Sequence, residues 1–315
     1  MRLSDENLYF EQGAIMMEKT FTIDNPMPPL WLMYPHIHPL SIGWRMGSGE
    51  GYKFDFFDWL KTLSESERKQ YQEMFPPPRI WGWNRYYWDE NAEKDEYEGY
   101  YRAGAGDYGL ELWSENGEPQ YSKEWLVTKV KNAEFLFFWQ PGDIEYEPEC
   151  CFGQWQYSEF SGAISMVEDY TCAEQYMMAE KARLFEDEEA EKLIMEAADP
   201  KQMKALGRKV KNFREDIWLK LRYSVVLNGN YLKFAQNKSM RDTLLATGDK
   251  ILVEASPLDV IWGIGHSKNK AEATNPQLWR GLNLLGFALM EVRDELRRVY
   301  RNYGAIGWPQ LADYK

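Results

Sequence analysis

The sequence predicts an α+β protein in two parts: a smaller aromatic-rich α+β N-terminal domain and a mainly α-helical C-terminal domain. Three observations lead there. The 315 residues are enough for two domains of ordinary size, each able to bury a core. Nine of the fourteen tryptophans precede residue 146, a density that marks the first half as folded. Beyond that point, apolar and small residues recur at helical intervals.

In chain order, Glu6–Gly13 resembles a viral-protease recognition site interrupted by Glu11, so residues 1–16 are expected to be a tag or disordered leader and are set aside. Residues 17–145 form the expected tryptophan-rich accessory domain, with Trp31, Trp44, Trp59, Trp81, Trp83, Trp88, Trp113, Trp125 and Trp139 as its core candidates. Within it, Tyr52 to Leu63 has near-helical apolar spacing. Ser64-Glu65-Ser66-Glu67 reads as a capping box opening a second helix toward Met74, which Pro76-Pro77-Pro78 ends. Residues 84–120, rich in Tyr, Gly and acidic groups, are expected as loops and irregular strands. Glu134 to Gln140 is expected to be a closing strand, with a boundary at Pro141-Gly142-Asp143.

The second domain is expected over residues 146–304, with 305–315 as a tail. Its predicted helices run from Cys172 to Phe185, from Asp199-Pro200 onward, from Glu215 to Ala235, from a Ser239 cap to Gly248, and from Pro276 to Tyr300. Lys250 to Ala255 alternates as a strand does and delivers Asp259 into a turn after Pro257.

A net charge of -13 excludes a broad footprint for duplex nucleic acid or an anionic membrane. The three cysteines, Cys150, Cys151 and Cys172, have neither disulfide-framework nor metal spacing, and His36, His38 and His266 offer no metal set. A reducing cytoplasmic location is the natural expectation, with no metal and no membrane partner.

The chemistry-bearing residues cluster late. Glu174 lies in a helix among apolar neighbours, Asp259 on an aromatic turn, and Trp218 between them. A helical carboxylate, a second carboxylate and tryptophan faces are what hydrolysis of a glycosidic bond requires. Plainer roles stand beside these: Asp259 as a turn cap, Trp218 and Trp262 as core, Lys181 as a surface lysine, and Arg208 and Lys233 as solvated cations where they do not bind phosphate.

Several pieces in one order carry a resemblance: Phe152-Gly153-Gln154-Trp155, Glu174 to Ala182, Trp218 with Arg222, Lys233-Phe234, Leu252-Val253-Glu254, Asp259 with Trp262-Gly263-Ile264-Gly265, and Gly281-Leu282-Asn283 through Leu289-Met290. Over about Cys151 to Leu296 the chain resembles the NADAR (NAD and ADP-ribose associated), YbiA-like family, with Gly153 standing where serine is expected. The resemblance implies a mainly helical YbiA-like C-terminal domain. It implies an N-glycosidase that needs no cofactor and cuts a ribose C1–N bond, in an ADP-ribosylated guanine or a ribosylaminopyrimidine phosphate. Carried over by position, Glu174, Trp218 and Asp259 are the expected catalytic residues. Trp262, Gly263, Gly265 and Asn283 are expected to line the pocket, and Lys181, Arg208 and Lys233 are the substrate-binding candidates. The expected partner is a phosphorylated ribosyl or ADP-ribosyl substrate, free or as a single nucleotide in nucleic acid, with room for a protein partner on the N-terminal domain. The alternatives are a non-catalytic ADP-ribose or nucleotide sensor and an antitoxin-type interaction protein.

Overall fold

The structure is a computed structural model that describes residues 21–39, 41–81, 113, 117–129, 132–162 and 169–314. The expected leader, Trp83, Trp88 and nearly all of the loop-and-strand region at 84–120 lie outside the described residues.

The N-terminal half opens with two one-turn helices, α1 (Leu30–Met33) and α2 (Gly43–Met46), then α3 (Ser48–Thr62) and α4 (Glu65–Met74). The capping box of α4 is present: the Glu67 amide donates to the Ser64 hydroxyl, and the Ser64 amide donates to the Glu67 carboxylate at 2.8 Å. Tyr52, Phe56, Trp59, Tyr71 and Phe75 interlock as stacked, tilted and edge-on rings. A short helix α5 (Lys123–Lys129) leads to strand β1 (Phe135–Phe138).

β1 falls within Glu134 to Gln140, the expected closing strand. It pairs in parallel with β4 (Ile251–Glu254), Phe135 opposite Ile251 and Phe138 opposite Glu254. A small antiparallel pair, β2 (Phe160–Ser161) and β3 (Asp169–Tyr170), follows. The helices then run as α6 (Ala173–Leu184), α7 (Glu188–Glu196), α8 (Pro200–Gly207), α9 (Glu215–Gln236), α10 (Lys238–Ala246) and α11 (Leu284–Val299). α6, α9 and α11 pack successively against one another, and β4 lies along α11.

Three sequence expectations shift. Helix α7 was not anticipated; Asp187 caps it by accepting from the Ala190 amide at 3.1 Å. α10 starts after Asn237, so Ser239 sits inside the helix, its carbonyl accepting from Thr243, and is not the cap. The last helix starts at Leu284, not Pro276: a 3₁₀ turn at Pro276–Leu278 gives way to extended chain, and Asn283 adopts a left-handed conformation with φ 56°.

Among the described residues, the buried hydrophobic side chains form one cluster running from Met27 to Leu311. Polar contacts join the halves as well. The Trp113 indole donates to Asn228 at 2.7 Å, the Arg79 amide to Glu295 at 2.7 Å, Arg298 to the Pro77 carbonyl at 2.7 Å, and the Tyr34 hydroxyl to the Tyr314 carbonyl at 3.0 Å. Among the described residues, no helix is long and apolar enough to cross a membrane.

Candidate active site

A cavity of about 710 Å³ opens where β1, β4, α6 and α8 meet. Each wall follows from a local sequence feature. Helix α6 places Glu174 in its first turn, where the exposed amides favour a negative charge. The Glu174 amide donates to the Gln154 carbonyl at 3.0 Å, which ties this turn to the loop carrying Trp155. Next to it, Gln175 accepts from the Thr171 amide at 2.8 Å and donates to the Ile194 carbonyl at 3.1 Å, anchoring α6 from both sides.

Helix α8 supplies the opposite wall. Asp199 caps it by accepting from the Gln202 amide at 3.0 Å, and Pro200 occupies the first turn. Lys201, Lys204, Ala205 and Arg208 follow at intervals of three and four and therefore share one face, the face lining the cavity. In a chain of net charge -13, three cations in one stripe concentrate positive potential on this wall.

The third wall is the turn after β4. Asp259 Oδ1 accepts from the amides of Ile261 and Trp262 at 2.9 and 2.8 Å, which fixes the turn, while Oδ2 lies 3.8 Å from Lys204 Nζ. Asp259 is thus both the turn-capping residue that the sequence allowed and a charged face of the cavity. Trp139, Trp155 and Trp262 line the same space.

The electrostatics set three carboxyl groups against the α8 cations. Burial pushes the Glu174 carboxyl up. The Lys204 ammonium and a hydrogen bond from Trp155 pull it down, Asp259 adds to the rise, and Arg208 opposes it. Glu254, at the end of β4, is pushed up to about 8 by burial and then by Asp259, against Lys204 and with Glu174. Glu174, Glu254 and Asp259 all line this one cavity.

Of the residues expected from the sequence, Glu174, Asp259, Arg208 and Trp262 line the cavity; the others stand outside its wall for identifiable reasons. Trp218 is buried on α9 beneath Lys181, whose ammonium sits 5.4 Å from the indole and 4.2 Å from the Phe213 ring. That ammonium donates to the Gly207 carbonyl at 2.8 Å, so Lys181 buttresses the end of α8. Lys233 is fully buried, donating to the Gly153 carbonyl at 3.0 Å, and is sealed off from any phosphate.

Gly263 and Gly265 allow close approach of the chain to itself. A Cβ on Gly263 would lie 2.9 Å from the Glu254 carbonyl oxygen, and Gly265 has φ 69°. Asn283 is buried and works on β4: its Oδ1 accepts from the Glu254 amide at 3.0 Å, and its Nδ2 donates to the Leu252 carbonyl at 2.9 Å.

Trp139, Trp155, Lys201, Lys204 and Glu254 line the cavity without having been singled out. Trp155 and Glu254 belong to segments that carry the family resemblance. The 201-204-208 spacing was readable as a cationic helix face, once the helix started by Asp199-Pro200 was in view.

The NADAR domain profile matches residues 137–297. An N-glycosidase of Acanthamoeba polyphaga mimivirus is 46% identical over 146 residues, covering 46% of this chain and 86% of the viral protein. An N-glycosidase of Nostoc punctiforme is 35% identical over 157 residues, covering 49% of this chain and 90% of that protein. A riboflavin biosynthesis protein of Vibrio vulnificus is 33% identical over 125 residues, covering 40% of this chain but only 30% of that longer protein.

Proposed function

This chain belongs to the NADAR domain family, matched over residues 137–297, and from that premise we propose that it is an N-glycosidase hydrolysing the C1–N bond of a phosphorylated riboside. The observation that carries the reading is the cavity itself, in which buried Glu174 faces a cationic helix stripe and tryptophan side chains. The similarity to two proteins named N-glycosidases supports it.

Scission of a ribose C1–N bond develops positive charge on C1. A carboxylate set in a dehydrated wall stabilises that charge and orients the attacking water. Glu174 has this position; burial raises its pKa, and the Lys204 charge, the Trp155 hydrogen bond and the Arg208 charge offset part of that rise. Trp139, Trp155 and Trp262 offer faces for a flat base, each stacking contact worth roughly 1–3 kcal/mol. Lys201, Lys204 and Arg208 take the phosphate groups, with Arg208 suited to a two-pronged contact. Asp259 shapes the turn and holds Lys204 toward the cavity.

The substrate is an ADP-ribosylated guanine or a ribosylaminopyrimidine phosphate. Both present a phosphorylated ribose bonded to a planar base through nitrogen, matching the cationic and aromatic walls. The experiment is incubation with each substrate and detection of released base and sugar phosphate. Glu174→Gln should preserve the fold and ligand binding while lowering turnover by about 10²- to 10⁴-fold. Near-normal rates in that variant would remove Glu174 from the mechanism, and absence of cleavage of either substrate by the wild type would remove the function.

A further inference from the structure

Glu254 stands in the cavity wall at the end of β4, yet the chemistry above leaves it unused. Its Oε2 is sealed from solvent and has no hydrogen-bond partner among the described residues, an arrangement native proteins seldom tolerate without a reason. The main chain of Glu254 is held from both sides. Its amide donates to Asn283 Oδ1 at 3.0 Å, and its carbonyl accepts from the Ile264 amide at 3.0 Å. A rigidly carried carboxyl with an unmet oxygen is suited to a partner that arrives with the substrate.

The charged groups that reach it are Asp259 from the following turn, Lys204 from α8 and Glu174 from α6. β1, beside it, is apolar throughout, and the first turn of α11 carries no charge. The ionisable residues of α11 begin at Glu291, toward the other end of β4, where Arg293 donates to the Lys250 carbonyl at 2.8 Å. Two like charges and one opposite charge in a dry wall favour the neutral acid, in line with a pKa near 8. Glu174 is also raised by burial and by Asp259, but it has a hydrogen-bond donor and two opposing cations that offset the rise. Unequal surroundings of this kind favour the proton on Glu254 over Glu174.

We propose that Glu254 is the proton donor to the departing nitrogen, an inference that rests on the N-glycosidase reading. As the C1–N bond breaks, its electron pair goes to nitrogen, which takes the Glu254 carboxylic proton. Water forms the new C1–O bond and passes its proton to the Glu174 carboxylate. One water is consumed, base and sugar leave, and solvent exchange returns the proton from Glu174 to Glu254.

The test compares wild type, E254Q and E174Q on an N-riboside 5-phosphate and on the 4-nitrophenyl riboside 5-phosphate, whose leaving group needs no proton. E254Q should lose about 10²- to 10⁴-fold on the N-riboside but only a few-fold on the nitrophenyl substrate, whereas E174Q loses heavily on both. The alkaline fall of the wild-type rate should vanish in E254Q. Infrared difference spectra at neutral pH should show a protonated-carboxyl band that E254Q lacks. An E254Q loss equal on both substrates, rates matching wild type, or absence of that band overturns the assignment while leaving the N-glycosidase reading standing. A wild type that cleaves no N-riboside removes both.

Discussion

Lys233 and Glu254 are both ionisable groups taken out of water, and only their surroundings tell structure from chemistry. Lys233 has its hydrogen bond to Gly153, is not among the residues lining the cavity described, and is pushed down to about 8 by burial, against the opposing pull of Cys151, Cys172 and Cys150. Glu254 has an unmet oxygen and a cavity in front of it. Lys233→Met should therefore leave KM for a phosphorylated substrate unchanged. Lys204→Ala and Arg208→Ala should each raise it about tenfold, the equivalent of losing one charged hydrogen bond of ~1.5 kcal/mol. Steady-state kinetics on phosphorylated and dephosphorylated substrate check this, since only the former should respond.

Glu254 also predicts a pH dependence of stability. The folded chain keeps its proton up to about pH 8, while the unfolded chain releases it near the ordinary value of 4.5. Across that window the unfolded state binds fewer protons, so this group's contribution, complete at acid pH, is lost as pH rises through the folded value. E254Q removes the titration. Its thermal midpoint should gain on the wild type from about pH 4.5 to about 8 and run parallel above, measured by scans across pH.

At the scale of elements, most helices were legible because their signals are local. The Ser64 capping box, the Asp199-Pro200 start and the apolar spacing from Glu215 each needed only a few neighbouring residues. What escaped depended on contacts between distant segments. Residues 276–283 carry no helix breaker strong enough to forbid a continuous helix, but the chain there must pass against Val260–Gly263, with the Leu282 amide donating to the Val260 carbonyl at 3.1 Å. Asn283 ends that passage in a left-handed turn and satisfies two backbone groups on the free edge of β4. Asn283→Gly keeps the conformation but loses both bonds, and should cost about 1–3 kcal/mol per orphaned group. Asn283→Ala adds left-handed strain and should cost about 1 kcal/mol more. Urea unfolding orders the three, and equal stability of wild type and Asn283→Gly would deny the side chain its role on β4.

The site was half legible for the same reason. Glu174 and Asp259 stood out through their motifs, and both reach the cavity. Trp218 and Lys181 came from an equally plausible pattern but are turned toward each other behind α8, an orientation no helical spacing reveals. Trp139 reaches the cavity only because β1, from the first half of the chain, pairs with β4 more than a hundred residues later.

That pairing governs the whole molecule. The domain profile itself begins at residue 137, inside β1, so the boundary suggested by the turn residues at 141–143 falls after a strand that the catalytic half requires. Beneath it, Glu295 and Glu291 on α11 accept from the amides of Arg79 and Gln120, both at 2.7 Å, and the Lys123 ammonium donates to the Trp279 carbonyl at 2.7 Å. Truncation to residues 146–315 would strip β1 from β4, open the Trp139 wall of the cavity and leave Glu295 and Glu291 without the amides of Arg79 and Gln120. Each buried polar group left unpaired costs about 1–3 kcal/mol, against a stability of only about 5–15 kcal/mol for a domain. The expected outcome is a single cooperative unfolding transition for the full chain and an aggregating or molten 146–315 fragment. A fragment that unfolds cooperatively and cleaves the substrate at the full-chain rate would show instead that the N-terminal half is a separable appendage, and that β4 is held by Asn283 and α11 alone.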